Sequence, residues 1–213
     1  NKGVSVVICC YNSSKVLPKT LKYLLNQKVP DTIPWEILII NNASTDNTSE
    51  TAKEILESSF NRVPYKIVKE PEPGLSAARL KGFNTAKYGY IIFCDDDNRL
   101  QEDFVRISYE TMESNKEIGV LGGQSIAEYE VLPKPWFKDW KNSFAIGKQG
   151  KNEGDITWTT GFVWGASMVV RKEAWENLVS KGFRSILTDR KGNTLSAGGD
   201  TEICYALRNQ GWK

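Results

Sequence analysis

Three consecutive carboxylates, Asp95, Asp96 and Asp97, close the apolar run Ile91-Ile92-Phe93-Cys94. Adjacent anions repel, so folding alone does not favour the cluster, and it reads as a site that expects a cation. An apolar run bounded by Gly89 and by charge is a buried parallel strand, and ligands of open α/β sheets gather just past the carboxyl ends of such strands. Hard divalent cations take oxygen ligands, and Mg2+ is commonly held by one or two carboxylates together with substrate phosphates. The competing reading is a solvated acidic turn. A calcium loop is excluded because Arg99 and Leu100 stand where the next ligand and the glycine should be.

Two further segments carry chemistry of the same kind. Asn41-Asn42-Ala43-Ser44-Thr45-Asp46 offers amide donors and acceptors suited to the edge of a nucleobase, and equally forms a turn with Asp46 or Thr48 as a helix cap. Gly74-Leu75-Ser76-Ala77-Ala78-Arg79 opens a helix with free backbone amides and a guanidinium, which suits an anion; the alternative is an Arg79 paired on the surface. After the first apolar run the chain reads Cys9-Cys10-Tyr11-Asn12-Ser13-Ser14, which is neither a glycine-rich dinucleotide loop nor a Walker lysine loop.

The elements that must position these groups alternate. Val4 to Cys10 reads as a strand, followed by a helix capped by Ser13 or Ser14 with Val16, Leu17, Leu21, Leu24 and Leu25 on one face. A strand from Trp35 to Ile40, a helix from Thr48, a strand from Tyr65 to Val68, a helix from Leu75 to Ala86 and a strand from Tyr90 to Cys94 follow. A helix bearing Phe104, Val105, Ile107 and Met112 leads to a strand over Gly119 to Gly122. This alternation predicts a βαβ series and a mostly parallel central sheet flanked by helices.

After Glu128, Pro133, Pro135, Trp136, Phe137 and Trp140 mix with Lys134, Lys138, Lys141, Lys148 and Lys151 in a stretch that reads as an irregular functional loop. Thr157 to Val170 returns to strand-like residues, Lys172 to Leu178 reads as a helix, and a small-residue loop at 196–199 precedes a helix from Thr201 to Asn209. The sequence stops directly after that helix, which reads as an excised core.

The 213 residues are 40% hydrophobic and 25% charged, ordinary for one soluble α/β domain. A net charge of +2 gives no general case for nucleic acid. The absence of histidine removes Ser-His-Asp and Cys-His mechanisms and His-based zinc sites, leaving proton transfer to carboxylates. Cys9, Cys10, Cys94 and Cys204 form no disulfide framework and read as buried thiols of a reducing compartment. With no membrane span and no signal-peptide pattern, the expected location is cytoplasmic.

Taken in order, Val4 to Asn12, Asn41 to Asp46, Gly74 to Arg79, Asp95 to Asp97 and Gly198-Gly199-Asp200-Thr201-Glu202 resemble the motif series of glycosyltransferase family 2 over nearly the whole chain. The resemblance implies a single domain of the Rossmann-like GT-A fold, an inverting enzyme using a UDP, GDP or dTDP sugar, and a Mg2+ or Mn2+ cofactor. It implies that Cys10, Tyr11, Asn12 and Asn41 cradle the base and ribose, with Arg79, Asp95 and Asp96 also on the donor. By the same resemblance Asp97 would ligate the metal. Asp200 matches the usual catalytic aspartate and would act as general base, its competing role being a helix cap. Trp164, Gly165, Ala166 and Glu202 would shape the sugar and acceptor pocket. Residues 1–125 would form the nucleotide-binding half and 126–213 the acceptor and catalytic half.

Asn41-Asn42-Ala43 replaces the commoner Asp-Asp-Gly, Leu80 replaces an Asn, and Gly199 stands where Glu usually precedes the catalytic Asp. Phe183 to Ala197 is longer than the usual link and reads as an acceptor loop. The implied acceptor is a glycan or a lipid-linked sugar, in polysaccharide or glycolipid synthesis, with no nucleic-acid partner. The aromatic, basic stretch reads first as a loop packed on its own domain, the competing reading being peripheral contact with the inner face of a membrane. The competing functions are a non-catalytic nucleotide-sugar or glycan binding module and a nucleotidyltransferase; the latter normally has a glycine-rich basic loop that Cys9 to Asn12 does not supply.

Overall fold

A computed structural model describes residues 1–60, 63–151, 153–187, 189–191, 194–195 and 197–213. Alternation of apolar residues builds the centre. β1 (Val4–Cys10), β2 (Trp35–Asn42), β3 (Tyr65–Glu70) and β4 (Tyr90–Asp95) are parallel. Two short antiparallel strands, β5 (Val120–Leu121) and β6 (Val169–Arg171), complete a sheet of order β3-β2-β1-β4-β6-β5.

Both faces of this sheet are covered, which is why its strands are apolar throughout rather than alternating. Val6, Ile8 and Cys10 face α1 (Leu17–Leu25), α2 (Thr48–Ser58) and α4 (Phe104–Ser114), in one core with Leu17, Leu21, Leu24, Ala52 and Met112. Burying each of those leucines contributes about 1.5–3 kcal/mol relative to exposure. Val7, Leu38, Ile40 and Phe93 face α3 (Leu75–Thr85), α5 (Lys172–Ser180) and α6 (Gly199–Arg208). There Phe83 stacks on Trp175 at 3.9 Å between ring centroids. A hairpin of β7 (Arg190–Lys191) and β8 (Thr194–Leu195) lies between α5 and α6 in sequence.

Strand register decides where the chemistry collects. Cys10 pairs with Asn41 and Cys9 with Asp95, so β1, β2 and β4 end level with one another. The chain runs outward from β1 through β2 to β3 and then crosses back to place β4 on the other side of β1, and such a reversal opens a ligand crevice at the carboxyl edge.

The expected single α/β domain with a mostly parallel sheet is what the chain adopts, with local differences. Neither Ser13 nor Ser14 caps α1 through its side chain: the Ser13 carbonyl accepts the Val16 and Leu17 amides, and the Ser13 hydroxyl donates to Asp96. Residues 157–168 are turns and coil instead of strand, because turns at 157–160 and around Ser167, at φ 63, interrupt the β-rich residues. The aromatic, basic stretch contains a 3₁₀ helix, Pro135–Phe144, with no buried residue. The extra linker residues Thr188, Gly192, Asn193 and Ser196 lie outside the described residues.

Candidate functional site at the carboxyl edge of the sheet

The loop after β2 is built by side chains on backbone. Asn12, at φ 53, and Ala43, at φ 54, take left-handed conformations, and the two loops lock together. Asn12 accepts the Thr45 amide at 2.8 Å, while the Asn12 amide donates to the Ser44 hydroxyl at 3.0 Å. The Ser14 amide donates to Asp46 at 3.0 Å and the Thr48 amide at 3.1 Å. Slight desolvation of Asp46 is outweighed by these donors and the two hydroxyls behind them, which hold its pKa down at about 2. Asp46 therefore serves the turn before α2, as expected, but the cap position is Asn47 instead of Asp46 or Thr48.

Asn41 is buried; its amide donates to the Ser49 hydroxyl at 2.5 Å and its carbonyl accepts the Ser44 amide at 3.2 Å. Asn42 binds the next connection, donating to the Glu72 carbonyl at 2.5 Å and accepting the Gly74 amide at 2.8 Å. Asn42 thus fixes the start of α3, where Gly74 turns at φ 138. Tyr11 is 60% exposed at the rim of this edge. The Cys10 side chain faces the core, 1% exposed, so its thiol is not offered to a ligand and only its backbone stands at the edge.

The three carboxylates diverge. Asp95 is the last residue of β4 and is half-buried. Asp96 turns inward: it accepts the Ser13 hydroxyl, and its carbonyl accepts the Thr20 hydroxyl at 2.7 Å. Burial pushes the Asp96 pKa up, the Ser13 donor opposes this, and the Asp97 charge adds to it. Asp97 is exposed at the turn. Among the described residues no three Asp, Glu, Cys or His side chains form a cage for a metal ion. An exposed Asp97 beside a half-buried Asp95 instead fits an ion held by one or two carboxylates plus phosphate oxygens.

Across α3 lies a second group. Asp200 sits in the first turn of α6, whose N-cap position is Gly198, so it is not the cap residue. Its carboxylate accepts the Gly165 amide at 2.7 Å and the Thr201 amide at 2.8 Å. A methyl group at Gly165 would come within 2.3 Å of Arg79 Nη2 and 3.3 Å of Asp200 Oδ2, so these three predicted residues meet at one point. Arg79 is buried and makes an ion pair with Asp189 at 2.7 Å, replacing the surface pair considered from sequence. Its charge reaches both groups: it partly offsets the burial that pushes Cys9, next to Asp95, up to about 12, and the burial that pushes Cys204, next to Asp200, up to about 11.

Trp164 and Ala166 are half-buried on either side of Gly165. The Trp164 amide donates to Gln149 at 2.5 Å, and Gln149 donates to the Gly123 carbonyl at 2.6 Å, tying this coil segment to the residues just after β5. Glu202 accepts the Ile186 amide at 2.8 Å and the Leu187 amide at 3.3 Å, so it anchors the loop before Asp189. Gln149 and Asp189 carry no local sequence signal, since their partners lie far along the chain. A cleft of about 530 Å³ lies between Lys2, Lys87, Glu113 and Lys172 and is lined by none of these groups.

A mostly parallel α/β sheet with acidic and amide side chains at its switch point is an architecture suited to a ligand at that edge, and residues 5–179 match the model for glycosyl transferase family 2. The chain belongs to that family. It is 30% identical over 123 residues to the poly-beta-1,6-N-acetyl-D-glucosamine synthase of Staphylococcus epidermidis, covering 57% of this chain and 28% of that protein. Its fold is that of GT-A glycosyltransferases. The mannosyltransferase of Pyrobaculum calidifontis, solved with GDP-Man and Mn2+, superposes with a TM-score of 0.72 at 18% identity, over 100% of this chain and 54% of that one. TarS 1-349 of S. aureus, solved with UDP-GlcNAc, gives 0.65 at 16% identity, over 96% and 53%. The chain thus spans about half of the solved neighbours or less of the curated relative. Family membership favours transfer of a glycosyl group over a nucleotidyltransferase or a non-catalytic binding module.

Proposed function

We propose that this domain transfers a sugar from a nucleotide-sugar donor to an acceptor hydroxyl with inversion at the anomeric carbon. The observation that carries this is the meeting of Arg79, Gly165 and Asp200 at the same sheet edge as Asn41, Asp95 and the exposed Asp97. Residues 1–125 form the donor half and 126–213 the acceptor and catalytic half. Tyr11, Asn12 and Asn41 border the base and ribose. Asp97, with Asp95, would hold a Mg2+ or Mn2+ ion, which supplies neutralisation of the departing diphosphate.

The protein's own residues handle the proton. Asp200 accepts it from the acceptor hydroxyl as the new glycosidic bond forms and the bond to the diphosphate breaks on the opposite face. Gly165 donates to one oxygen of Asp200, holding the carboxylate in place. Trp164 and Ala166 border the space beside it. Neighbours that bind UDP-GlcNAc and GDP-Man support a nucleotide-sugar donor of either kind, and the Staphylococcus epidermidis relative supports an acceptor in polysaccharide synthesis.

The test is Asp200→Asn. It keeps size, but its single carbonyl oxygen accepts only one of the Gly165 and Thr201 amides, so donor affinity survives with a modest loss of thermal stability while transfer falls by ~10² to 10⁴. Transfer near the wild-type rate would remove Asp200 from the role of base.

A further inference from the structure

Asp189 belongs to the linker that is longer than the family pattern, and its carboxylate is buried, 5% exposed, at φ 51. One oxygen accepts the Gly199 amide at 2.8 Å and the other binds the Arg79 guanidinium at 2.7 Å. The loop that delivers it is tied down twice more. Ser76 of α3 donates to the Leu187 carbonyl at 2.9 Å, and Glu202 of α6 accepts the Ile186 and Leu187 amides.

Two glycines leave room for this arrangement. A methyl group at Gly199 would come within 2.3 Å of Asp189 Oδ2, and one at Gly165 within 2.3 Å of Arg79 Nη2. The space of a side chain at position 199 is therefore filled by the Asp189 carboxylate. Arg79 Nη2 and Asp200 Oδ2 flank the same point beside Gly165, yet the ion pair of Arg79 is made with Asp189. A buried guanidinium deprived of one carboxylate turns to the next within reach, because an unpaired buried charge is costly.

We propose that Asp189 is a positioning residue: it holds the Arg79 guanidinium off Asp200, so that the Asp200 carboxylate stays on the Gly165 amide and open to an acceptor hydroxyl. This rests on the reading of Asp200 as general base. Without Asp189 the guanidinium pairs with Asp200 and draws it away from Gly165.

Asp189→Asn tests it, since Asn tolerates a positive φ and still accepts the Gly199 amide while losing the charge. Release of nucleoside diphosphate from UDP-GlcNAc and GDP-mannose with Mn2+ gives kcat and KM. The expected result is a kcat lower by about 10- to 100-fold with donor KM little changed. A structural role alone would raise donor KM and lower the melting temperature along with kcat. Amide exchange measured by NMR needs no substrate: in Asp189→Asn the Gly165 amide should exchange several-fold faster while Gly199 stays protected.

Unchanged kcat or unchanged Gly165 exchange in Asp189→Asn would overturn the proposal. An inactive Asp200→Asn beside a fully active Asp189→Asn would remove the positioning role and leave the base assignment standing. A fully active Asp200→Asn would remove the base, and the proposal with it.

Discussion

Asp96 and Asp97 are adjacent, yet the fold gives them opposite tasks. Ser13 draws Asp96 inward, and Asp97 faces solvent at the edge of the sheet. Asp97→Ala should therefore lower the Mn2+-dependent affinity for a nucleoside diphosphate by about tenfold or more, ~1.4 kcal/mol, with little change when the ion is withheld. Titration calorimetry with and without Mn2+ measures this, and identical curves would take Asp97 out of the site. Gly165 carries a second residue-scale prediction. An added methyl within 2.3 Å of Arg79 Nη2 cannot be relieved cheaply, because that guanidinium is buried and ion-paired. Gly165→Ala should cost about 1–3 kcal/mol of stability in urea unfolding and reduce turnover more than donor binding.

At the scale of elements, connections rather than strands carry the site, and each is fixed by a side chain from another element. Asn42 holds the approach to α3 through Glu72 and Gly74, and Asn42→Ala removes both of these bonds. The expected loss is about 1–3 kcal/mol, read as faster amide exchange at the start of α3, and unchanged exchange there would contradict it. The 3₁₀ helix Pro135–Phe144 presents Trp136, Trp140 and Phe144, each more than half exposed, beside Lys134, Lys138 and Lys141. An aromatic and cationic surface suits the interface of an anionic bilayer. Sedimentation with anionic liposomes at low salt should retain the protein and Trp140→Ala should weaken retention; no retention at low salt would dispose of membrane contact. No helix among the described residues is long and apolar enough to cross a membrane.

At the scale of the whole molecule, acid should unfold the protein by a definite route. Glu113 accepts the Tyr90 hydroxyl at 2.5 Å and pairs with Lys2 and Lys116; the Tyr90 donor is the main reason its pKa falls from 4.5 to about 2. Asp46 falls likewise to about 2. Both are depressed in the folded state, so the unfolded chain binds protons first as pH falls. Their stabilising contribution is complete above about pH 4.5 and is lost as pH drops toward 2. Urea midpoints should be flat above pH 5, decline below it, and decline less in Glu113→Gln.

Much of this could be read along the chain. Apolar runs and helical spacing predict the alternating elements, and the motif series marks Asn41, Arg79, Asp95 to Asp97 and Asp200, because hydrophobic periodicity and short motifs are local properties. Strand register, which brings Cys10, Asn41 and Asp95 level, is a property of pairing between distant segments. The same holds for the inward turn of Cys10 and Asp96, and for the Arg79–Asp189 pair, whose partners are 110 residues apart. Sequence alone shows Gly199 as a missing acidic side chain. The tertiary structure supplies the reason, because the Asp189 carboxylate occupies that space, and only folding decides which distant charges become neighbours.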